Sequence, residues 1–150
     1  MKIEQVEWTD PDADILRARQ RAEIAARYGT PDSEPGVAPS EADIAVFLVA
    51  RDDDGTPVGC GGLRRLEPGV GEVKRMYVDP ARRGTGVAAQ ILTALEEWAR
   101  DQGWTRLRLE TGDAQPDAVR FYTRSGYERI ANFGAYADAP RSLCFERRLR

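Results

Sequence analysis

The sequence predicts an α+β (mixed α/β) domain, with a central, mostly antiparallel sheet of about seven strands flanked by helices. Three observations carry that expectation. Short stretches alternate apolar and polar residues at period two, while others repeat their apolar residues at helical spacing. Three of the strand-like stretches follow one another through short turns, which makes a meander. The chain has 150 residues, 41% of them hydrophobic and 31% charged, so it suits a single folded domain over 1–150 rather than a disordered segment.

The elements follow in the order β-α-βββ-α-β-α-β-β. Residues 3–8, "IEQVEW", read as a first strand. The stretch from Thr9 reads as a helix, with Thr9 or Asp10 as its cap, Pro11 in its first turn and Gly29 at its end. Residues 29–41 are rich in Gly, Pro, Ser and acids and form a loop. "DIAVFLVARDDDGTPVGCGGLRRL" is two strands around an acidic turn. "GEVKRMYVD" is the third strand of the meander. Simple alternation puts Glu72, Lys74, Met76 and Val78 on one face and Val73, Arg75 and Tyr77 on the other.

Residues 84–101 form the clearest helix, with Val87, Ile91, Leu95 and Trp98 on one stripe and Gly103 beyond its end. "TRLRLE" alternates as a strand. "QPDAVRFYTRSG" is a short helix that Gly126 ends. "YERIAN" and "SLCFERRL" are the last two strands.

Composition narrows the chemistry. The chain contains no histidine, which excludes Ser-His-Asp or Cys-His catalysis and histidine-ligated metal. Acid–base work falls to Asp, Glu, Tyr, Lys, Cys or water. Cys60 and Cys144 form no C-x-x-C motif and read as small core residues, so no metal site is expected. A net charge of −3 gives no support for nucleic-acid or membrane-surface binding. No apolar run approaches the ~18 residues of a membrane helix, and no signal-peptide core follows Met1, so a cytoplasmic location is expected.

The stretch "RRGTGVAAQIL" carries the main functional signal. Helix N-termini present unpaired N–H groups and a positive dipole end, and glycine lets an anion approach the backbone. Gly84, Gly86 and Ala89 match a dinucleotide-binding turn, and Glu110 lies near the place of a ribose-binding acid about 20 residues on. Against that reading stand the polar preceding strand, the lengthened turn over residues 80–83, and the antiparallel meander before it.

"GEVKRMYVDPARRGTGVAAQILTALEEWA" resembles the cofactor-binding core of the GNAT superfamily of acetyl-CoA-dependent N-acetyltransferases. The family signature Q/R-x-x-G-x-G/A is met by Arg83, Gly86 and Ala88. A second feature, a Phe-Tyr pair before a Gly-aromatic, is similar to "AVRFYTRSGYERI". The resemblance covers most of the chain, residues 9–43 least.

The resemblance implies acetyl-CoA as co-substrate. Its pyrophosphate would lie on the backbone of Arg83, Gly84, Thr85, Gly86, Val87 and Ala88, with the Arg83 side chain a further candidate. Its pantetheine arm would run beside Met76, Tyr77 and Val78, where a main-chain N–H would hold the thioester oxygen. An amine would attack the thioester directly in a ternary complex. Glu72 is the first candidate base and Glu110 the second, and Tyr122 matches the acid that protonates the leaving thiolate. Asn132, Tyr136 and Ser142 cluster near the last turn, and Tyr136 and Glu110 are candidates for contact with the acceptor.

The leading function is therefore N-acetyl transfer to a small-molecule or peptide amine. A non-catalytic CoA-binding sensor is the alternative, and a dinucleotide oxidoreductase ranks below both. Amino acids, polyamines, antibiotics and protein amines all remain open as acceptors. Exposed strand edges leave room for a homodimer.

Overall fold

The computed structural model describes residues 1–30 and 34–149. Seven strands make one sheet: β1 (Lys2–Val6), β2 (Ile44–Arg51), β3 (Pro57–Glu67), β4 (Val70–Val78), β5 (Arg106–Gly112), β6 (Glu128–Ile130) and β7 (Ser142–Arg148). Three helices join them: α1 (Pro11–Tyr28), α2 (Val87–Asp101) and α3 (Pro116–Arg124). The sheet order is β1-β2-β3-β4-β5-β7-β6, antiparallel everywhere except between β4 and β5.

Local chemistry sets the helix ends. The Asp10 carboxylate accepts the N–H groups of Asp12 at 3.0 Å and Ala13 at 3.1 Å, which pairs two donors that α1 cannot pair itself. Gly29 closes α1 at φ 79°, donating its N–H to the Ala25 carbonyl at 2.8 Å. Of the expected loop over residues 29–41, residues 31–33 lie outside the described part.

The helices bury the two faces of the sheet separately. Val46, Leu48 and Ala50 of β2 turn toward Ile91, Leu95 and Ala99 of α2, and Tyr122 of α3 joins that core. Phe47 and Val49 turn the other way, against Ala13 and Leu16 of α1. The center of β2 is therefore buried on both faces, which explains its unbroken apolar run.

Strict alternation fails in β4. Cys60 pairs with Tyr77 and Gly62 with Lys74, so β4 holds one extra residue opposite β3. Arg75, at φ 58°, carries this bulge. Val73 and Met76 both reach the α2 core along with Val78, while Tyr77 packs with α1. Lys74 and Arg75 both bond Glu34. The sequence expectation for these faces is thus corrected beyond Lys74: the bulge reverses which side each residue meets.

A second irregularity opens the sheet. β4 and β5 pair only at Val70–Arg106, Gly71–Leu107 and Glu72–Arg108. Past Glu72 the two strands separate, and the later halves of β4 and β5 border a cleft.

Candidate active site

The turn between β4 and α2 is built to present backbone. The Asp79 carboxylate accepts the Ala81 N–H at 2.9 Å and starts a single 3-10 turn over Pro80–Arg82. Gly84 and Gly86 then adopt φ 80° and 90°, a region that costs residues with a Cβ about 1–2 kcal/mol. A Cβ on either would meet no atom within 4 Å, so the space over the turn is open. Gly86 caps α2 with no side-chain hydrogen bond. The first N–H groups of α2 therefore keep their positive end free for an anion.

The two arginines before the glycines have other work. The Arg82 guanidinium pairs with Asp52 in the β2–β3 turn. Arg83 donates from Nε to the Val78 carbonyl at 3.0 Å and meets Glu23 of α1 at 2.7 Å. They anchor the turn to its neighbors. The Arg83 side chain, a further candidate for the phosphate, is held by Val78 and Glu23.

The cleft has a volume of about 910 Å³ and runs between α1 and the separated halves of β4 and β5. Met76 lines it, and the Met76 carbonyl accepts Nε2 of Gln20 at 2.8 Å. Glu110 lines it from β5 and accepts the Ser142 hydroxyl at 2.8 Å. Burial raises the Glu110 carboxyl above its ordinary range; the Ser142 bond opposes this only in part. Tyr122 enters from α3, with its ring 5.8 Å from Tyr127. Burial pushes its phenol upward, so it remains an O–H donor. Close approach shapes the rim as well, since a Cβ on Gly112 would run into the Tyr28 hydroxyl.

Beside the cleft lies a buried polar network. Glu72 is 1% exposed. Its Oε1 accepts from Arg64 at 3.1 Å, its Oε2 accepts the Tyr136 hydroxyl at 2.6 Å, and Lys74 stands 3.6 Å away. Lys74 also donates to the Tyr136 oxygen at 3.1 Å and pairs with Glu34. Burial, then the nearby Glu72 charge, raises the Tyr136 phenol well above its ordinary value. For Glu34, burial acts to raise the carboxyl, but the Lys74 and Arg75 charges outweigh it and hold it low.

β4 and β5 are parallel over only three residue pairs and β3 beside them is antiparallel, which is not the continuous parallel sheet of a dinucleotide-binding fold. Comparison with known proteins agrees. Residues 4–127 match the acetyltransferase (GNAT) family. The chain belongs to this family.

As a GNAT protein it is an acetyl-CoA-dependent acyltransferase. It is 42% identical over 104 residues to an IAA acetyltransferase of Azospirillum brasilense, a match covering 69% of this chain and 67% of that one. It is 33% identical to the uncharacterised N-acetyltransferase YsnE of Bacillus subtilis, over 61% of this chain and 62% of that one. Among solved structures it resembles a Klebsiella pneumoniae protein assigned as an acyl-CoA N-acyltransferase. That match has a TM-score of 0.84 and 33% identity, and covers 99% of this chain and 97% of the other. A Thermoplasma acidophilum PaiA N-acetyltransferase in complex with coenzyme A shares the fold at a TM-score of 0.71 and 18% identity, over 99% of both chains.

Within this GNAT cleft the expected residues separate into two groups. Met76, Glu110 and Tyr122 line it. Glu72 and Tyr136, expected as base and acceptor contact, bond each other in the buried network instead. Both Glu72 oxygens are engaged there, one by Arg64 and one by Tyr136. Ser142 holds Glu110, and Asn132 donates to the Ala139 carbonyl at 3.2 Å and the Ser142 carbonyl at 3.0 Å, which fixes the loop before β7. Cys60 and Cys144 are buried free thiols, and burial pushes Cys60 up to about 12. Sequence reading did not single out Arg17, Gln20 or Glu34. The first two look like the polar positions of an amphipathic helix, and Glu34 lies in a loop with no periodicity. Among the described residues, no group of acidic or sulfur side chains is gathered as a metal site, and no helix is long and apolar enough to cross a membrane.

Proposed function

We propose that the protein transfers the acetyl group of acetyl-CoA to a primary amine by direct attack within the cleft. One observation carries this reading: the separated β4–β5 pair opens beside the uncapped start of α2, with Glu110 and Tyr122 on the walls of the same cleft. The pyrophosphate would rest on the N–H groups of residues 83–88. The thioester would lie along β4 at Met76, where a main-chain N–H would hold the oxyanion.

The attacking amine must first be neutral, whereas a free alkylamine has a pKa of roughly 10, like lysine's. We assign the base to Glu110 in preference to Glu72, because Glu110 faces the cleft and its raised carboxyl is the better proton acceptor. Attack forms the C–N bond and gives a tetrahedral intermediate. Glu110 takes the nitrogen's proton directly or through one water, and the C–S bond then breaks.

Tyr122 faces the departing sulfur. A CoA thiol has a pKa like cysteine's, about 8.5, so full transfer from a phenol raised above 10 is uphill. Tyr122 therefore serves as a hydrogen-bond donor to the sulfur as charge builds. The nitrogen's proton, passed through Glu110, supplies the thiol.

The test incubates purified protein with acetyl-CoA and an amine panel and follows free thiol. Amine-dependent thiol release supports the reading. Confirmed acetyl-CoA binding with no turnover across the panel would instead indicate a CoA sensor.

A further inference from the structure

α1 carries two polar groups along the cleft that the reaction above does not use. The Arg17 side chain is only 9% exposed. Its Nη2 donates to the Trp8 carbonyl at 2.6 Å, and its guanidinium lies 3.7 Å from the center of the Trp8 ring. The nearest carboxylate, Asp14, is 3.8 Å away and 80% exposed, so it neutralises the buried charge poorly. Arg17 Nη1 is buried with no hydrogen-bond partner. One turn further, Gln20 gives Nε2 to the Met76 carbonyl, and its Oε1 is likewise buried without a partner.

Arg75, on the bulge of β4, lines the same cleft, and its charge acts on Arg17. Arg75 is already paired with Glu34 at 3.1 Å. A buried guanidinium with an idle N–H beside a second cation calls for an anion. A buried amide oxygen tied to the strand that would carry the thioester calls for an N–H. Residues three apart on a helix stand about 5–6 Å apart at Cβ, so one small molecule can meet both.

We propose that this pair recognises an acceptor bearing a carboxylate a few bonds from its amine. Arg17 Nη1 binds the carboxylate, and Gln20 Oε1 accepts an N–H of the amine and turns it toward the thioester. The acceptor class is thus an amino acid or a close analog. This inference rests on the acetyl-transfer reading and names its substrate class. The same anion chemistry could come from a phosphate of CoA, so the test separates the two sources.

Wild-type protein is assayed with a set of amino acids, each beside its carboxamide and its decarboxylated amine. A charge-assisted pair in a buried site is expected to favour the carboxylate member by about ten- to hundred-fold in kcat/KM, chiefly through KM. Arg17→Met is expected to collapse that ratio and to leave the acetyl-CoA Kd, measured by calorimetry, within error of wild type. Retention of the acetyl-CoA Kd also reports that the variant is folded. Equal or better use of the carboxamides overturns the proposal. So does an Arg17→Met variant that loses acetyl-CoA affinity while keeping the carboxylate preference, because the anion is then the cofactor's. The wild-type comparison stands even where Arg17→Met does not fold. Carboxylates that raise Tm in the presence of CoA in an Arg17-dependent way, without turnover, would support the subsite and overturn only the catalytic reading. No protection and no turnover would overturn both.

Discussion

Burial raises both Glu110 and Tyr122, with opposite consequences for the reaction. A raised carboxyl is a better base but needs a higher pH to ionise. Activity is expected to fall on the acid side at a pH above the usual glutamate value of 4.5, and a pH–rate profile reads that limb. Glu110→Gln should remove the limb and lower kcat by about 10²- to 10⁴-fold. The same variant should be more stable at neutral pH. The folded-state pKa of Glu110 lies above that of the unfolded chain. Its contribution to stability is therefore complete below the unfolded pKa and is lost as pH rises through the folded value. Thermal melts at pH 7 check this, and a less stable Glu110→Gln would refute the assigned burial cost. Tyr122→Phe keeps the ring packed against Tyr127 but removes the O–H. It is expected to lower kcat by about 10²-fold with little change in acetyl-CoA Kd; unchanged turnover would remove Tyr122 from the mechanism.

The start of α2 and the loop before β7 make contrasting cases among the elements. At the start of α2 the conformation itself matters, since Gly86 stands at φ 90° with open space where a Cβ would go. Gly86→Ala should cost about 1–2 kcal/mol of stability and weaken acetyl-CoA binding, as read by denaturant melts and calorimetry. An unchanged Kd would show that this turn does not hold the pyrophosphate. In the loop before β7 a single hydroxyl matters. Tyr136, in the 3-10 turn Gly134–Tyr136, ties that loop to β4 through Glu72. Tyr136→Phe leaves the buried carboxylate one donor short and should cost about 1.5–3 kcal/mol. A urea titration with an unchanged slope and a lower midpoint is the expected result.

Across the whole molecule, charge is distributed unevenly. The net charge is −3, yet among the described residues Arg17, Arg21, Lys74, Arg75 and Arg141 line the cleft beside Asp14, Glu34 and Glu110. Net charge is thus a poor guide to the acceptor, because a site answers to its local field. In the proposed binding mode acetyl-CoA would bridge the α2 turn, β4 and α3, so it should stabilise the fold as a unit. At a hundred times its Kd the gain is about 2.7 kcal/mol, roughly a 5–10 °C rise in Tm for a chain of this size. Absence of any shift at saturating ligand would argue against the cofactor assignment. β1 and β6 are the edges of the sheet, and a homodimer through either would be seen as a concentration-dependent mass in solution.

The sequence by itself determined the order of the strands and α-helices, because each depends on local patterns: Asp10 and Gly29 bounding α1, the α2 stripe, and the turns of the meander. It also exposed the glycine turn, since positive φ and an open helix start are written in adjacent residues. It did not reveal how side chains far apart in the chain would meet. The bulge at Arg75 is one extra residue that no alternation signals, and it sends Arg75 and Lys74 to the same carboxylate, Glu34. Glu72 and Tyr136 are 64 residues apart, so only the folded sheet could pair them and leave Glu110 facing the cleft. Arg17 reads as an ordinary surface arginine until α1 packs and buries it. Local rules act over a turn of chain, whereas burial and pairing of charge depend on distances that exist only after folding.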